Sequence, residues 1–591
     1  MAEPQNSKLK RNRKPGLRFG LKYLILVMVL VSLVFGWFAN ELRQANYEAR
    51  LVGRIEALHD GFQPHGKCHF DYETGPQGTV TGAKKDPLGP AWLRSIFGQH
   101  VFSRITSLSF DGRASIREPS QSGDISAFMI HNQHELGFDV VEEFDLTKLE
   151  SLVSVGLSDF PEVEDLNWFR SLGKLESLSV NQCRNLRSLN GVENLGQLKV
   201  IRVVQKSRLR DIVAIKGLNE LEHINIDVGS GFTSQENWDA IADCMKLNRL
   251  DINTAGVAFP KFRRTSSVKY YPDDITAWPS YGLPRNSVVN PTVPVTGKFR
   301  PNPNMQFLSI ADVDLGLQDL SCFREMPNLE RLVIHNSGGL KSLEGIQYCK
   351  KLKRLEITSC KNLLDISAIE SLANLETLSI TDSQQEIKHF PVLNCPKLKR
   401  LNLSRIHGFK DLEFLRNEEN IEMLDLRESG LRSLKGLRHC WKLKKIQVVG
   451  SGLTTIGCDI VEAPIQEIDF QDCDWLVDLE GLGNIKNLFS VNLKGCSSLK
   501  RLKSISQLTD MEYLDLTGCR SLETLDDLQS MPHVQHVVIK GCISLENVDG
   551  LLKLPSLKSL DWSDCPLLKT EDIELLRQKF PSLVEDKDVM D

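Results

Sequence analysis

The chain has almost no net charge to work with: 72 lysines and arginines against 77 aspartates and glutamates leave −5 over 591 residues. That balance excludes a nucleic-acid binder held by bulk charge. Cysteine is sparse, 14 in all, too few for a small disulfide-built scaffold. Aromatics reach only 7%, and long apolar runs are missing with one exception, which excludes a polytopic membrane protein. Catalytic signatures are missing too: there is no P-loop, no H-E-x-x-H and no G-x-S-x-G. Gly450-Ser451-Gly452 lacks the third glycine of a dinucleotide loop and reads as a turn. No Ser/His/Asp set or carboxylate pair can be assembled, so no cofactor and no catalytic residue are expected.

The exception lies near the start. Residues 1–22 carry Lys8, Lys10, Arg11, Arg13, Lys14, Arg18 and Lys22 against the single acid Glu3, and Tyr23 to Ala39 then runs uncharged for 17 residues. At 1.5 Å per residue the run spans roughly 25 Å, slightly short of the ~30 Å hydrocarbon core. Lys22 can snorkel, and Trp37 and Phe38 suit the far interface. A buried soluble helix and a cleaved signal peptide are the rivals, but Gly36-Trp37-Phe38-Ala39-Asn40 offers no small-x-small cleavage site. Because the basic excess precedes the run, the positive-inside rule keeps the N-terminus cytoplasmic. The expectation is a signal anchor at 23–39, a basic cytoplasmic tail at 1–22, and everything beyond exported into a periplasm-like compartment.

Beyond residue 150 the chain repeats itself. The pattern L-x-x-L-x-L starts at Leu152, Leu175, Leu198, Leu221 and Leu247, breaks, and resumes at Met305. It then continues from Leu329, Leu352, Leu375, Leu398, Ile421, Leu443, Ile465, Leu488, Met511, Val534 and Leu557, mostly 23 residues apart, for 17 repeats. Ile105/Leu108/Phe110 and Ile125/Phe128/Ile130 suggest two degenerate repeats ahead of them. Each motif reads as a short strand with apolar residues inward and polar ones outward. One such unit cannot bury its own leucines, whereas stacked neighbours share a continuous core. In the second half of each repeat, inward residues recur every three positions (Leu363, Ile366, Ile369, Leu372), which suits 3₁₀ turns better than an α-helix.

A period of 20–29 residues with this motif is the leucine-rich-repeat signature. The fold expected is an α/β solenoid, a horseshoe of about 17 or more repeats with a parallel concave sheet, a largely 3₁₀ or irregular convex side, and one preceding transmembrane helix. Cys496-Ser-Ser-Leu499, Cys519-Arg-Ser-Leu522 and Cys542-Ile-Ser-Leu545 resemble cysteine-containing leucine-rich repeats. The head adds a basic tail, one span, the arginine-bearing ELRQANYEARLVGRIEAL, His69-Phe70-Asp71-Tyr72-Glu73 and Pro90-Ala91-Trp92-Leu93-Arg94. That order is similar to membrane-anchored leucine-rich-repeat proteins of planctomycete bacteria. The resemblance implies an exported recognition surface and no chemistry.

The segments then read as follows: a juxtamembrane helix-strand-helix region at 40–104, a degenerate cap at 105–151, repeats at 152–254 and 305–569, an insertion at 255–304, and a capping helix and tail at 570–591. Thr570 is expected to cap that helix. Cys183, Cys360, Cys473, Cys496, Cys519, Cys542 and Cys565 stand eight residues after a repeat start, and Cys244, Cys349, Cys395 and Cys440 three before one. Both are core positions, so buried free thiols are favoured over a ladder of disulfides. His59, His65, Cys68, His69 and Asp71 include zinc-ligand types, but alternation through Lys67–Glu73 favours a structural strand.

Two places are candidates for function. Outward strand positions carry Arg249, Arg331, Arg354, Arg400 and Lys445 two residues into the motif, a series that Thr377 interrupts, and Asp251, Glu356, Asp425, Asp469, Asp515 and Asp561 four residues in. The acids alternate with Gln447, Asn492 and Val538, which keeps like charges off adjacent strands. A self-compensated solvated face is the bland reading, a polar recognition face the functional one. The insertion holds eight prolines, with Phe259, Phe262, Tyr270, Tyr271, Trp278, Tyr281 and Phe299 beside Arg263 and Arg264. Aromatics with arginine are typical of binding hot spots, although they could equally pack onto the solenoid. The candidate partner-binding set is therefore Arg331, Arg354, Arg400, Tyr270, Tyr271, Trp278, Tyr281, Arg263 and Arg264. The function expected is non-catalytic capture of a protein or cell-envelope partner, without nucleic acid. The alternative is an exported enzyme or metal-dependent protein with its chemistry in the juxtamembrane region or the insertion.

Overall fold

In the computed structural model the described residues are 152–254 and 299–580, short gaps aside, with the segments Gly66–Phe70, Ile105–Asp111 and Val293–Pro294. The expected membrane helix at 23–39, the second degenerate repeat and most of the insertion lie outside them. Among the described residues no helix is long and apolar enough to cross a membrane.

Seventeen strands follow the seventeen repeat starts, from Ser154–Ser158 to Ser559–Asp561. From Ser177–Asn181 onward each pairs in parallel with the next, with no shift in register: Leu308 lies beside Leu332, Leu332 beside Leu355, Leu355 beside Leu378. Strict period is the cause. A repeat of constant length places the same motif position at the same height in each coil, so the leucines stack into one continuous, fully buried column. Burial of each such side chain contributes roughly 1.5–3 kcal/mol. The ladder even bridges the insertion, since Arg249–Thr254 pairs directly with Phe307–Ala311.

On the other side of each coil the three-residue spacing gives 3₁₀ turns, among them Asn167–Phe169, Ile346–Tyr348, Ser367–Ile369 and Lys503–Gln507. One repeat departs from this pattern. The 26-residue step from Leu221 to Leu247 has room for a true α-helix, Gln235–Ala242, started by the Ser234 hydroxyl accepting from Glu236 N–H. Buried Asn237 fastens it to the preceding coil, accepting from Ile212 N–H at 2.9 Å and donating to Arg210 C=O at 2.8 Å.

A column of left-handed residues ends the strands. Seven residues after the repeat start, φ is positive at Gln182, Asn336, Ser359, Asp382, Arg405, Glu428, Asp472, Gly495, Gly518 and Gly541. The reversal there turns the following residue into the core, and in five consecutive repeats that residue is cysteine. Each thiol donates to a backbone carbonyl of the preceding coil: Cys473 to Val448 at 2.9 Å, Cys496 to Phe470 at 3.2 Å, Cys519 to Leu493 at 3.2 Å, Cys542 to Leu516 at 3.2 Å and Cys565 to Ile539 at 3.0 Å. All the cysteines expected in the core are free thiols, and all are buried except the half-buried Cys565 on the last coil.

Two expectations need correction. The C-terminal helix spans Thr570–Lys579 with Lys569 as its N-cap; Thr570 is its first helical residue and makes no cap. Phe299 is not an insertion aromatic but core: it packs edge-on to Trp238 at 5.5 Å and against Phe323 at 5.8 Å. Asn302, also buried, donates to Cys244 C=O at 3.0 Å, so the coil resumes before Met305. Ile105–Asp111 pairs antiparallel with Gly66–Phe70. On its other side Ile105–Asp111 pairs with the first repeat strand, Ser154–Ser158, so it extends the repeat sheet where the first degenerate repeat was expected, and Gly66–Phe70 covers its free edge.

Candidate recognition face

The outward residues two positions into the motif form a row. In register it runs His223, Arg249, Phe307, Arg331, Arg354, Thr377, Arg400, Met423. Side chains on neighbouring parallel strands sit close together, so Arg331 directly beside Arg354 is a like-charge contact that would destabilise on its own. Glu356 resolves it. Its Oε1 pairs with Arg331 Nη2 at 3.3 Å and also with Arg354 Nε. Asp251 does the same service one step away, meeting Arg249 Nε at 2.9 Å and His223 Nε2 at 3.3 Å.

Phe307 sits between two arginines. The Arg249 guanidinium lies 4.2 Å from its ring centroid and that of Arg331 5.0 Å away, each reaching over from a neighbouring strand. Cation–π stacking of this kind holds guanidinium groups flat and contributes on the order of 0.5–2 kcal/mol. Burial pulls the Arg331 pKa below its ordinary value, with Glu356 opposing the shift. Its Nε has no hydrogen-bond partner among the described residues. The cluster is therefore a half-buried, preorganised set of planar donors, suited to carboxylates.

Counting placed Arg331 and Arg354 on adjacent strands, and Thr377, which interrupts the series, stands between Arg354 and Arg400 in register. Counting gave no role to Phe307 as the spacer that stacks both neighbours. The signal was legible: one aromatic within a run of arginines at a fixed repeat offset. Toward the C-terminus the acids alternate as expected, with Gln447 between Asp425 and Asp469, and Asn492 between Asp469 and Asp515. Burial raises the Asp469 pKa.

Tyr270, Tyr271, Trp278, Tyr281, Arg263 and Arg264 lie outside the described residues, as do His59, His65 and Asp71 of the zinc candidate. The returning arm of the insertion is described at Val293–Pro294, which pairs in parallel with Val313–Asp314 just past the strand Phe307–Ala311. No cluster of three metal-ligating side chains occurs among the described residues.

Segments within residues 319–421, 345–464 and 439–569 match the profile of the BspA type leucine rich repeat region. Residues 319–569 therefore carry repeats of the leucine-rich-repeat type. Among solved leucine-rich-repeat structures, an internalin of Listeria monocytogenes is 12% identical, with 73% of this chain and 91% of that one covered and a TM-score of 0.41. A leucine-rich-repeat protein of Leptospira interrogans is 16% identical over 74% and 85% of the two chains, with a TM-score of 0.42. The functional domain of InlJ from Listeria monocytogenes, described as including a cysteine ladder, is 15% identical over 64% and 66%, with a TM-score of 0.38. No curated protein matches the chain in sequence.

Proposed function

We infer that this leucine-rich-repeat protein is a non-catalytic recognition protein that captures a protein or cell-envelope partner on its outer sheet face. Leucine-rich-repeat proteins generally mediate protein binding. The observation that carries the reading here is the strip Arg249–Phe307–Arg331–Arg354, in which three guanidinium groups and one ring are held at the solvent side of adjacent strands. A carboxylate-bearing segment would exchange with Asp251 and Glu356 for these donors. In the same reading the run at 23–39 anchors the chain in a cytoplasmic membrane, with the tail inside and the repeats exported.

Two experiments test this. Partners cross-linked to the full chain in envelope extracts should be lost in Arg331→Glu/Arg354→Glu, while Lys397→Glu, in a turn ahead of a later strand and outside the strip, keeps them. Equal recovery from both variants would refute the face. A reporter active only in the cytoplasm, fused after residue 591, should be silent; activity would refute the topology.

A further inference from the structure

We propose that the edge of the solenoid across the coils starting at Ile465, Leu488 and Met511 holds a neutral oligosaccharide, at a site separate from the arginine strip. The reasoning begins with the left-handed column. In its middle section the column bears side chains that pair with each other: Arg405 Nη1 meets Asp382 Oδ1 at 2.7 Å and Arg405 Nε meets Glu428 Oε2 at 3.4 Å. These side chains build a closed ridge along the strand ends. At Gly495 and Gly518 the column carries no side chain at all, and the ridge gives way to a groove with a cavity volume of about 680 Å³.

Trp475 stands on the wall of that groove and is 68% exposed. It occupies the tenth position after its repeat start, where the next two coils carry Ser498 and Ser521. The fold therefore makes no demand for an indole there, and leaving one in water forfeits its burial. Such a ring offers a flat apolar plate to a ligand.

The surroundings of the plate select the ligand. Asp472 and Asp474 are matched by Lys494 and Arg520, so the lining sums to no net charge. A phosphate or an acidic peptide would meet two carboxylates, and a basic one two cations. Apart from Trp475 the walls are polar, so an apolar peptide finds one contact and no pocket. Hydroxyls complete the lining, with Ser497 donating to Asp474 Oδ1 at 2.9 Å and Thr517 beside it. Donors and acceptors of both kinds around a single apolar plate match a pyranose, which presents a C–H face to an aromatic ring and hydroxyls at its rim. The cavity has room for a short chain of such rings.

The test uses the purified full chain, titrated by calorimetry with the tetrasaccharides of N-acetylglucosamine, glucose and mannose, and with inorganic phosphate as the charged control. At least one tetrasaccharide should bind. Trp475→Ala should weaken that binding by roughly tenfold or more, and Trp475→Phe should restore most of it. Because the ligand is neutral, raising salt should leave the affinity nearly unchanged. Trp475 is exposed, so the variants should melt as the parent does, and Arg331→Glu/Arg354→Glu should bind the sugar normally, which separates this site from the strip. Three results would overturn the proposal: no heat with any tetrasaccharide, binding that survives Trp475→Ala, or binding of phosphate alone.

Discussion

Among the described residues Glu418 is the one carboxylate buried completely, at 0% exposure, in the column three residues before a repeat start. Neighbouring coils fill that position with Cys395 and Cys440, and others with leucine or methionine. Its Oε1 accepts from Cys395 N–H at 2.7 Å, whereas Oε2 has no partner among the described residues. Burial accordingly raises its pKa above the ordinary glutamate value, and the Cys395 amide opposes the shift. The folded state then holds its proton more tightly than the unfolded chain does. The stabilisation linked to that proton is fully present below the unfolded value of about 4.3 and is lost as pH rises through the raised folded value. Glu418→Gln keeps an oxygen for Cys395 N–H and removes the charge. It should leave stability nearly unchanged near pH 4 and raise it by about 1–3 kcal/mol near pH 8. Glu418→Leu strands the Cys395 amide, costing about 1–3 kcal/mol, which offsets most of what its apolar burial contributes. Repeat arrays open locally as well as globally, so the assay is hydrogen exchange at the Cys395 amide across that pH range, beside urea unfolding. A parental protein whose protection does not fall with pH, or a glutamine variant with the same pH slope, would refute the reasoning.

The core thiols should react with an alkylating reagent only after denaturation, since burial pushes Cys244, Cys349, Cys395, Cys440 and Cys542 up to about 12; mass spectrometry of the native protein checks this, and labelling without unfolding would contradict it. Cys519→Ser retains a donor toward Leu493 C=O and should cost only about 1 kcal/mol in urea unfolding, whereas Cys519→Ala leaves a void in the ladder and should cost more. Ser359→Gly relieves a left-handed residue at φ 57° and should stabilise by about 1 kcal/mol, raising the melting temperature. Replacing residues 256–298 by a Gly/Ser linker should leave the melting transition intact, but extending the cut through Pro303 removes Phe299 and Asn302 and should lower it sharply, as should Phe299→Ala, by about 3–5 kcal/mol.

The repeat was legible because its information is one-dimensional. A fixed period puts Leu332, Leu355 and Leu378 at one height in successive coils, so their register follows from counting. The same counting located the cysteine columns and the alternation of Asp425, Gln447 and Asp469. It failed where the period failed. In the long step before Leu247 the extra residues made the helix Gln235–Ala242, whose Trp238 packs between Phe232 of its own coil and a second ring. Phe299 supplies that ring from across the insertion, 61 positions further on by number, and no local pattern marks it. The Thr570 cap failed for a different reason, since threonine and lysine compete for one boundary residue and the chain enters the helix one position earlier.

Function is harder to read than fold for the same physical reason. A row of outward arginines says which groups share a face, but the chemistry of that face depends on how their charge is spent. Arg331 and Arg354 share one carboxylate, Glu356, while Phe307 stacks the guanidinium groups of Arg249 and Arg331. Those contacts set the competition a partner must win: a bound carboxylate replaces Glu356 or Asp251 rather than meeting bare cations. Affinity at such a strip should come from geometry and exclusion of water more than from net charge, because Asp251 and Glu356 already offset two of its three arginine charges. Glu356→Gln separates the two contributions. It frees Arg331 and Arg354 together, leaving the like-charge pair uncompensated, so it should destabilise the coil slightly and tighten capture of an acidic partner. Weaker capture from a folded Glu356→Gln variant would mean that the carboxylate, and not the arginines, is what the partner recognises.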